Sequence, residues 1–409
     1  MKRISVPVLI VFMLLLSMTV MGANTAIASP SSGQLANRST NQSTISEAIK
    51  IAGGFDLSGG ESSLDLPAAN GAKLAVKEIN ASGGVMGRPL DLIIRNADYN
   101  MSATARIARQ FIEDDKVVGG IGFSDTNSML AAGPVFQSAG IPFITVGATS
   151  PKIPGQIGDM IYLACFGDNA QAAAGAEYGA RSFGTSAYLL VDTSTDYTVL
   201  LADYFNKSFG ELGGEIVLKD SYSDNTTNVS GQIAKLKNLP KQPDFYYIAA
   251  MPYNVVSIIK QFRDAGLTGP IIGGDGYDIP EITSIGGKTA DNIFFSTHAL
   301  MDNKTGSESI RTFIAAYNKE YGHNPENAFA ALGYDAMRLM ADAIKRAGST
   351  DPEAIRKAIQ ETSDFPGITG SISYMNGTHV PEKSITIIAI KDGKYTLGAE
   401  IIPENVPAP

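Results

Sequence analysis

Gly273-Gly274-Asp275-Gly276-Tyr277 sets one carboxylate among glycines, directly after a short apolar run. A carboxylate held in a cleft receives an ammonium group through charge-assisted hydrogen bonds; a plain turn is the other use for an Asp in such a run. Thr126, in Ser124-Asp125-Thr126-Asn127, and Thr149, in Gly147-Ala148-Thr149-Ser150, are hydroxyls placed where helices are expected to begin. Beside free backbone N–H groups, such a hydroxyl is either a helix cap or part of an anion site fit for a small carboxylate. Tyr197, in Thr195-Asp196-Tyr197, is placed either to close over a ligand or to pack inward. Hydroxyls for an anion in one half of the chain and a carboxylate in the other together describe a site for a zwitterion. Two further runs, Phe55-Asp56-Leu57-Ser58-Gly59 and Met251-Pro252-Tyr253, add the Ser58 hydroxyl and the Met251 thioether but no nucleophile–base pair.

All these runs follow segments that read as strands. The pattern predicts strands over 49–53, 90–94, 117–121 and 142–146, and helices over 67–80, 102–114 (capped by Ser102) and 127–138. A second series predicts strands over 187–191, 215–218, 245–249 and 270–272, and helices over 197–212, 229–239 and 253–266. A long helix over 325–347 joins one of the two. Apolar strands alternating with helices mark a parallel sheet covered on both faces, so two series imply two α/β domains. Ligands of open parallel sheets bind beyond the carboxyl ends of the strands, which is where the candidate residues fall.

Composition narrows the function. The 409 residues are 44% apolar, with a net charge of −9, which argues against nucleic acid or an anionic membrane as the main partner. A single Cys, Cys165, rules out an intramolecular disulfide and cysteine-rich metal sites. Three separated His (His298, His323, His379) make a histidine metal centre an unfavoured reading, and no cofactor is expected. No G-x-S-x-G, H-E-x-x-H, G-x-x-x-x-G-K-[ST] or G-x-G-x-x-G run occurs, so an enzyme is not expected.

The amino end reads as an address. Lys2 and Arg3 precede an apolar stretch over 4–21 and a small-residue site, Ala26-Ile27-Ala28, as in a secretory signal peptide over 1–28. The apolar stretch is also near the length of a membrane anchor, so an uncleaved, tethered form stays open. Residues 29–47, rich in Ser, Asn, Thr and Gln, read as a flexible tether.

The chain resembles the type I periplasmic binding proteins of ABC transporters, most closely the leucine/isoleucine/valine-binding branch. The resemblance runs from about Ile49 to about Gly398. It is carried by Phe55-Asp56-Leu57-Ser58-Gly59, by Gly71-Ala72-Lys73-Leu74-Ala75-Val76-Lys77-Glu78-Ile79-Asn80 leading to Gly83-Gly84-Val85-Met86-Gly87-Arg88-Pro89-Leu90, by Ala139-Gly140-Ile141-Pro142 with Gly147-Ala148-Thr149-Ser150-Pro151, by Gln261-Phe262-Arg263-Asp264-Ala265-Gly266-Leu267 and by Gly333-Tyr334-Asp335-Ala336. It implies two Rossmann-like lobes with parallel sheets joined by three crossover segments, lobe 1 over 48–167 plus 299–368 and lobe 2 over 168–298 plus 369–400. It further implies an exported, monomeric, non-enzymatic protein, periplasmic or at the cell surface. Such a protein would capture a branched-chain or other aliphatic amino acid between the lobes and deliver it to an ABC permease. An amide, urea or aromatic-acid ligand, or a ligand-sensing ectodomain, are the alternatives.

By the same resemblance the ligand carboxylate meets Thr126, Gly147 and Thr149, and Ala148 between the last two is a further ligand-binding candidate. The ammonium group meets Thr149 and Asp275, Tyr197 closes over the ligand, and Met251 and Ser58 lie at the cleft. Three places depart from the family pattern. Met251-Pro252-Tyr253 stands where close relatives often carry a Tyr, Leu64 stands near the Trp of some relatives, and Asp275 is one methylene shorter than the Glu of others.

Overall fold

The computed structural model describes residues 47–223, 227–285, 289–374 and 377–409. The expected signal peptide and all but the last residue of the expected tether lie outside them. The first stretch runs β1 (Ile49–Phe55), α1 (Ser62–Ala81), β2 (Leu90–Asn96), α2 (Met101–Gln110), β3 (Gly119–Gly122), α3 (Thr126–Ala139), β4 (Phe143–Thr145), α4 (Ile153–Ile157) and β5 (Ile161–Leu163). Its five strands form one parallel sheet in the order β2-β1-β3-β4-β5.

The second stretch runs α5 (Asp168–Ser182), β6 (Ser186–Asp192), α6 (Asp196–Glu211), β7 (Glu215–Tyr222), α7 (Ser230–Lys237), β8 (Phe245–Ala249), α8 (Pro252–Asp264), β9 (Ile271–Gly273) and β10 (Ile293–Thr297). The chain then returns to the first sheet with α9 (Glu308–Tyr321), α10 (Phe329–Ala347) and α11 (Pro352–Gln360), makes the small hairpin β11 (Phe365–Gly367) and β12 (Gly370–Ile372), and ends on β13 (Ile385–Lys391) and β14 (Lys394–Ile401). The second sheet has the order β14-β13-β10-β9-β8-β6-β7. Its first five strands in sequence are parallel, and β13 and β14 extend one edge antiparallel. The chain therefore crosses between the sheets three times, after β5, after β10 and after β12.

In each sheet the strand order reverses beside the first strand, between β1 and β3 and between β6 and β8. A crevice opens at the carboxyl ends there. Both crevices face each other, and the runs singled out in the sequence are the loops that line them.

Local departures from the expected elements have physical causes. Helix α1 begins at Ser62 rather than at Pro67, so a proline lies inside it. Pro67 has no N–H to give the carbonyl of Ser63, and Asn327 Nδ2 donates to that oxygen instead at 2.8 Å. Helix α2 is capped by Asn100, which accepts the N–H of Ala103, not by Ser102, and it closes in a π-turn over Phe111–Asp115. Helix α10 starts at Phe329, four residues after Pro325. The sequence pattern does not predict strands β5 and β10 to β14 or helices α4, α5, α9 and α11. The short apolar run of β5 and the alanines of α5 carry little periodic signal.

Helices α1 and α10 touch backbone to backbone. A Cβ on Gly71 would sit 1.8 Å from the Ala330 carbonyl oxygen, and one on Gly333 would sit 1.9 Å from that of Ala68. Their amino ends consequently arrive together at the crevice of the first sheet. Gly333→Ala should force the helices apart and cost about 1–3 kcal/mol of unfolding free energy, read from urea melts; a wild-type midpoint would show that the contact relaxes without cost.

Candidate ligand-binding site

Asp275 opens a short 3₁₀ turn, Asp275–Tyr277, at the end of β9. Its carboxylate is 2 % exposed and held from three directions. Oδ1 accepts from the Tyr197 hydroxyl and from Gln171 Nε2, both at 2.9 Å, and Oδ2 lies 3.2 Å from His298 Nε2. Gln171 is itself fixed, because its Oε1 accepts from Ser296 Oγ at 2.6 Å and from the Asp275 N–H at 3.1 Å. The Tyr197 hydroxyl accepts the Gly276 N–H at 3.1 Å, so both of its roles are filled. Burial and the Asp275 charge hold the Tyr197 phenol well above its ordinary pKa, so it stays a donor. The His298 ring stacks on Phe166 at 3.9 Å, and burial pushes its pKa down.

The opposite wall comes from the first sheet. Asp125, after β3, caps α3 by accepting the Ser128 N–H at 2.9 Å. Thr126 is thereby released from capping, and its Oγ1 is buried with no hydrogen-bond partner. Gly147, after β4, lies under the ring of Phe329; a Cβ there would sit 2.5 Å from that ring. Thr149 lies on the same loop, and its carbonyl accepts the Asp168 N–H at 2.8 Å.

Thr126, Gly147 and Thr149 face Tyr197, Met251 and Asp275 across one cavity of about 20 Å³, which Glu61, Leu64, Ser124, Asp125, Pro252, Gly276 and Phe329 complete. The two walls meet at a rim where Tyr99 and Tyr253 pack with ring centroids 6.0 Å apart and Asn127 Oδ1 accepts the Asp196 N–H at 3.4 Å. Larger hollows of about 840, 850 and 160 Å³ lie elsewhere and collect none of these polar groups.

Two sequence candidates stand outside the cavity wall. Ser58 builds its own loop, donating to Asp98 at 2.8 Å and accepting from Asn96 at 2.7 Å. Ala148 packs in the core of the first sheet, and its N–H donates to Thr145 Oγ1 at 3.1 Å. Thr149 also differs from its expected setting, since the next helix, α4, starts only at Ile153.

Sequence reasoning missed Glu61, Gln171, His298 and Phe329. Each reaches the cavity or Asp275 only through long-range packing and has no local pattern of its own. Among the described residues no cluster of His, Cys, Asp or Glu could hold a metal ion. Cys165 is buried against the Ala148 carbonyl, and burial drives its pKa well above that of an ordinary thiol.

The chain matches the periplasmic binding protein family over residues 48–394. It belongs to that family. A Leu/Ile/Val-binding protein homolog of Brucella abortus is 29% identical over 307 residues, 74% of this chain and 80% of that protein. The solved leucine-binding protein LivK of Thermotoga maritima is 30% identical with a TM-score of 0.79, covering 87% of this chain and 99% of its own. LivJ of Streptococcus pneumoniae, solved with isoleucine, is 28% identical with a TM-score of 0.78, covering 86% and 98%. The expected type I fold of two lobes is thus shown, and the branched-chain branch of the family is the one it resembles.

The binding protein concentrates buried acid around its cleft. Burial raises Asp125 to about 6, Asp65 to about 7 and Asp168 to about 8, the Asp275 charge adding to the last. An unfolded Asp titrates near about 3.9, so the folded state holds more protons across that range and stability falls as pH rises through it. The melting temperature of the ligand-free protein should therefore drop from about pH 6 to about pH 7.5, less steeply in Asp168→Asn. A melting temperature that climbs over this window would contradict the assignment.

Proposed function

We propose that this solute-binding protein captures an α-amino acid between its two lobes and delivers it to an ABC permease, without catalysis. The observation that carries the reading is the pairing across one cavity of a fixed carboxylate, Asp275, with a buried hydroxyl that has no protein partner, that of Thr126. The α-ammonium group meets Asp275. The α-carboxylate meets the Thr126 hydroxyl, with Gly147 and Thr149 on the adjoining loop, near the positive end of α3. Tyr197 serves by orienting Asp275 as well as by closing the cavity. Ser58 supports the β1 loop rather than touching the ligand.

A cavity of about 20 Å³ is near the volume of one water molecule. The lobes must part for an amino acid to reach the site, and hinge closure then surrounds it. Branched-chain and other aliphatic side chains are supported by the relatives' own ligands and by the apolar faces of Leu64, Met251, Pro252 and Phe329. Delivery to a permease places the protein outside the cytoplasmic membrane. No helix of the described residues is long and apolar enough to cross a membrane.

A thermal-shift screen of the purified protein tests the reading. A bound ligand at 100 times its Kd should add ~2.7 kcal/mol of stability. Leu, Ile or Val should shift the melt while their deaminated and decarboxylated analogues do not. Asp275→Ala should weaken binding by ~2–5 kcal/mol, because the ammonium group loses its buried partner. Unchanged affinity in that variant would reject the zwitterion geometry.

A further inference from the structure

The first-lobe wall of the cavity holds a second carboxyl, that of Glu61, and its chemistry differs from that of its acidic neighbours. Three of those neighbours are occupied by backbone amides. Asp56 accepts the N–H groups of Gly59 and Glu61 at 2.6 and 2.7 Å. Asp65 accepts those of Asp56 and Ser124 at 2.6 and 3.2 Å, and Asp125 that of Ser128. Glu61 occupies the cap position of α1 but makes no side-chain cap bond. Its backbone does the anchoring, with its carbonyl accepting from Leu64 and Asp65 at 2.9 and 3.0 Å. The side chain turns into the cavity instead, 2 % exposed, with Oε1 lacking any hydrogen-bond partner.

Leaving that oxygen against a purely hydrocarbon ligand costs its desolvation with nothing in return. No Lys or Arg lines the cavity among the described residues. The nearby charges are of the wrong sign: burial, then Asp125, Asp65, Asp56 and Asp275, push the Glu61 carboxyl well above its ordinary range. The Ser124 and Thr126 hydroxyls line the same cavity but do not bond Oε1, which leaves that oxygen free to accept a donor from the ligand. An α-ammonium group is already committed to Asp275, so the donor belongs to the side chain, whose stem the flanking Leu64 and Phe329 keep apolar.

We propose that Glu61 is a side-chain-reading residue, and that the preferred ligand is an amino acid with an aliphatic stem carrying an O–H or N–H donor. This rests on the amino-acid reading above and narrows it. Isosteric pairs isolate the effect: threonine against valine for a hydroxyl, and ornithine against norleucine for an ammonium group. Affinities are measured by calorimetry on the purified protein and on Glu61→Leu, Glu61→Gln and Asp275→Asn, each first shown to melt cooperatively.

In the wild type, at least one donor-bearing member should bind roughly 3- to 100-fold more tightly than its hydrocarbon twin, the span from a neutral hydrogen bond for the hydroxyl to one with a charged partner for the ammonium group. Glu61→Leu should abolish or reverse that ratio. Glu61→Gln should separate the sources, keeping part of a hydroxyl preference and losing an ammonium preference. Asp275→Asn should weaken all four ligands together. Valine and norleucine binding at least as tightly as their twins, or a ratio untouched by Glu61→Leu, overturns the proposal while the amino-acid reading stands. Binding by none of these, nor by Leu or Ile, overturns both.

Discussion

The Asp275 carboxylate is the point on which the second lobe's half of the site depends. A buried carboxylate is tolerable only when it is hydrogen-bonded, and here Tyr197, Gln171 and His298 reach it from α6, α5 and the end of β10, with one of its four acceptor sites to spare. Two of these donors are tied in turn, Gln171 to Ser296 and Tyr197 to the Gly276 amide, and the His298 ring is held by stacking on Phe166. Two helices and the strand next to β9 thus converge on one side chain. The cluster fixes the carboxyl group at the strand ends, on the wall of the cavity between the lobes.

The first lobe solves a different problem. Its wall needs helix amino ends and free hydroxyls close together, and helices with full-sized residues at their contact would stand too far apart. Gly71 and Gly333 let α1 and α10 meet at backbone distance, and Gly147 lets the β4 loop slide beneath Phe329. Asp125 then takes over the capping of α3, which leaves Thr126 unspent. The result is a wall whose buried polar atoms have been left for something other than the protein.

The crossovers between the lobes carry polar ties of their own. Lys383, buried on the last crossover, donates to the Ala164 carbonyl at 3.0 Å and to Thr369 Oγ1 at 2.6 Å, so it joins the first crossover to the third. Thr369 is held by Asp335 of α10, and Tyr374 donates to the Leu163 carbonyl at 2.7 Å. Burial lowers the Lys383 pKa to about 8, with the Asp335 charge working against the shift. These bonds fasten neighbouring strands of the hinge to each other rather than one lobe face to the other. Lobe closure by rotation about the hinge can leave such bonds intact.

Much of this was legible in one sequence. Apolar strand runs and their intervening helices set a doubly wound parallel architecture, because a strand buried on both faces must be apolar throughout. The loops after those strands could be read off, and Thr126, Gly147, Thr149, Tyr197, Met251 and Asp275 do share one cavity. Where local signals competed, the reading slipped. Pro67 looked like a helix start because a proline fits there best, yet Asn327, remote in sequence, takes up the carbonyl that Pro67 leaves free.

Which polar groups are spent and which are left over was decided by the tertiary structure alone. Ser58 and Thr126 are both hydroxyls near strand ends, but Asn96 and Asp98 consume the first, whereas Asp125 frees the second. Glu61 carries no local signal, since the expected helix starts only at Pro67, and folding buries it with Oε1 unpartnered. Composition and periodicity determine which face of an element is buried. Helix caps such as Asp125 to Ser128 are local, but the side-chain partners of Ser58 and Asp275 lie 23 to 104 residues away in sequence, and no local pattern encodes them.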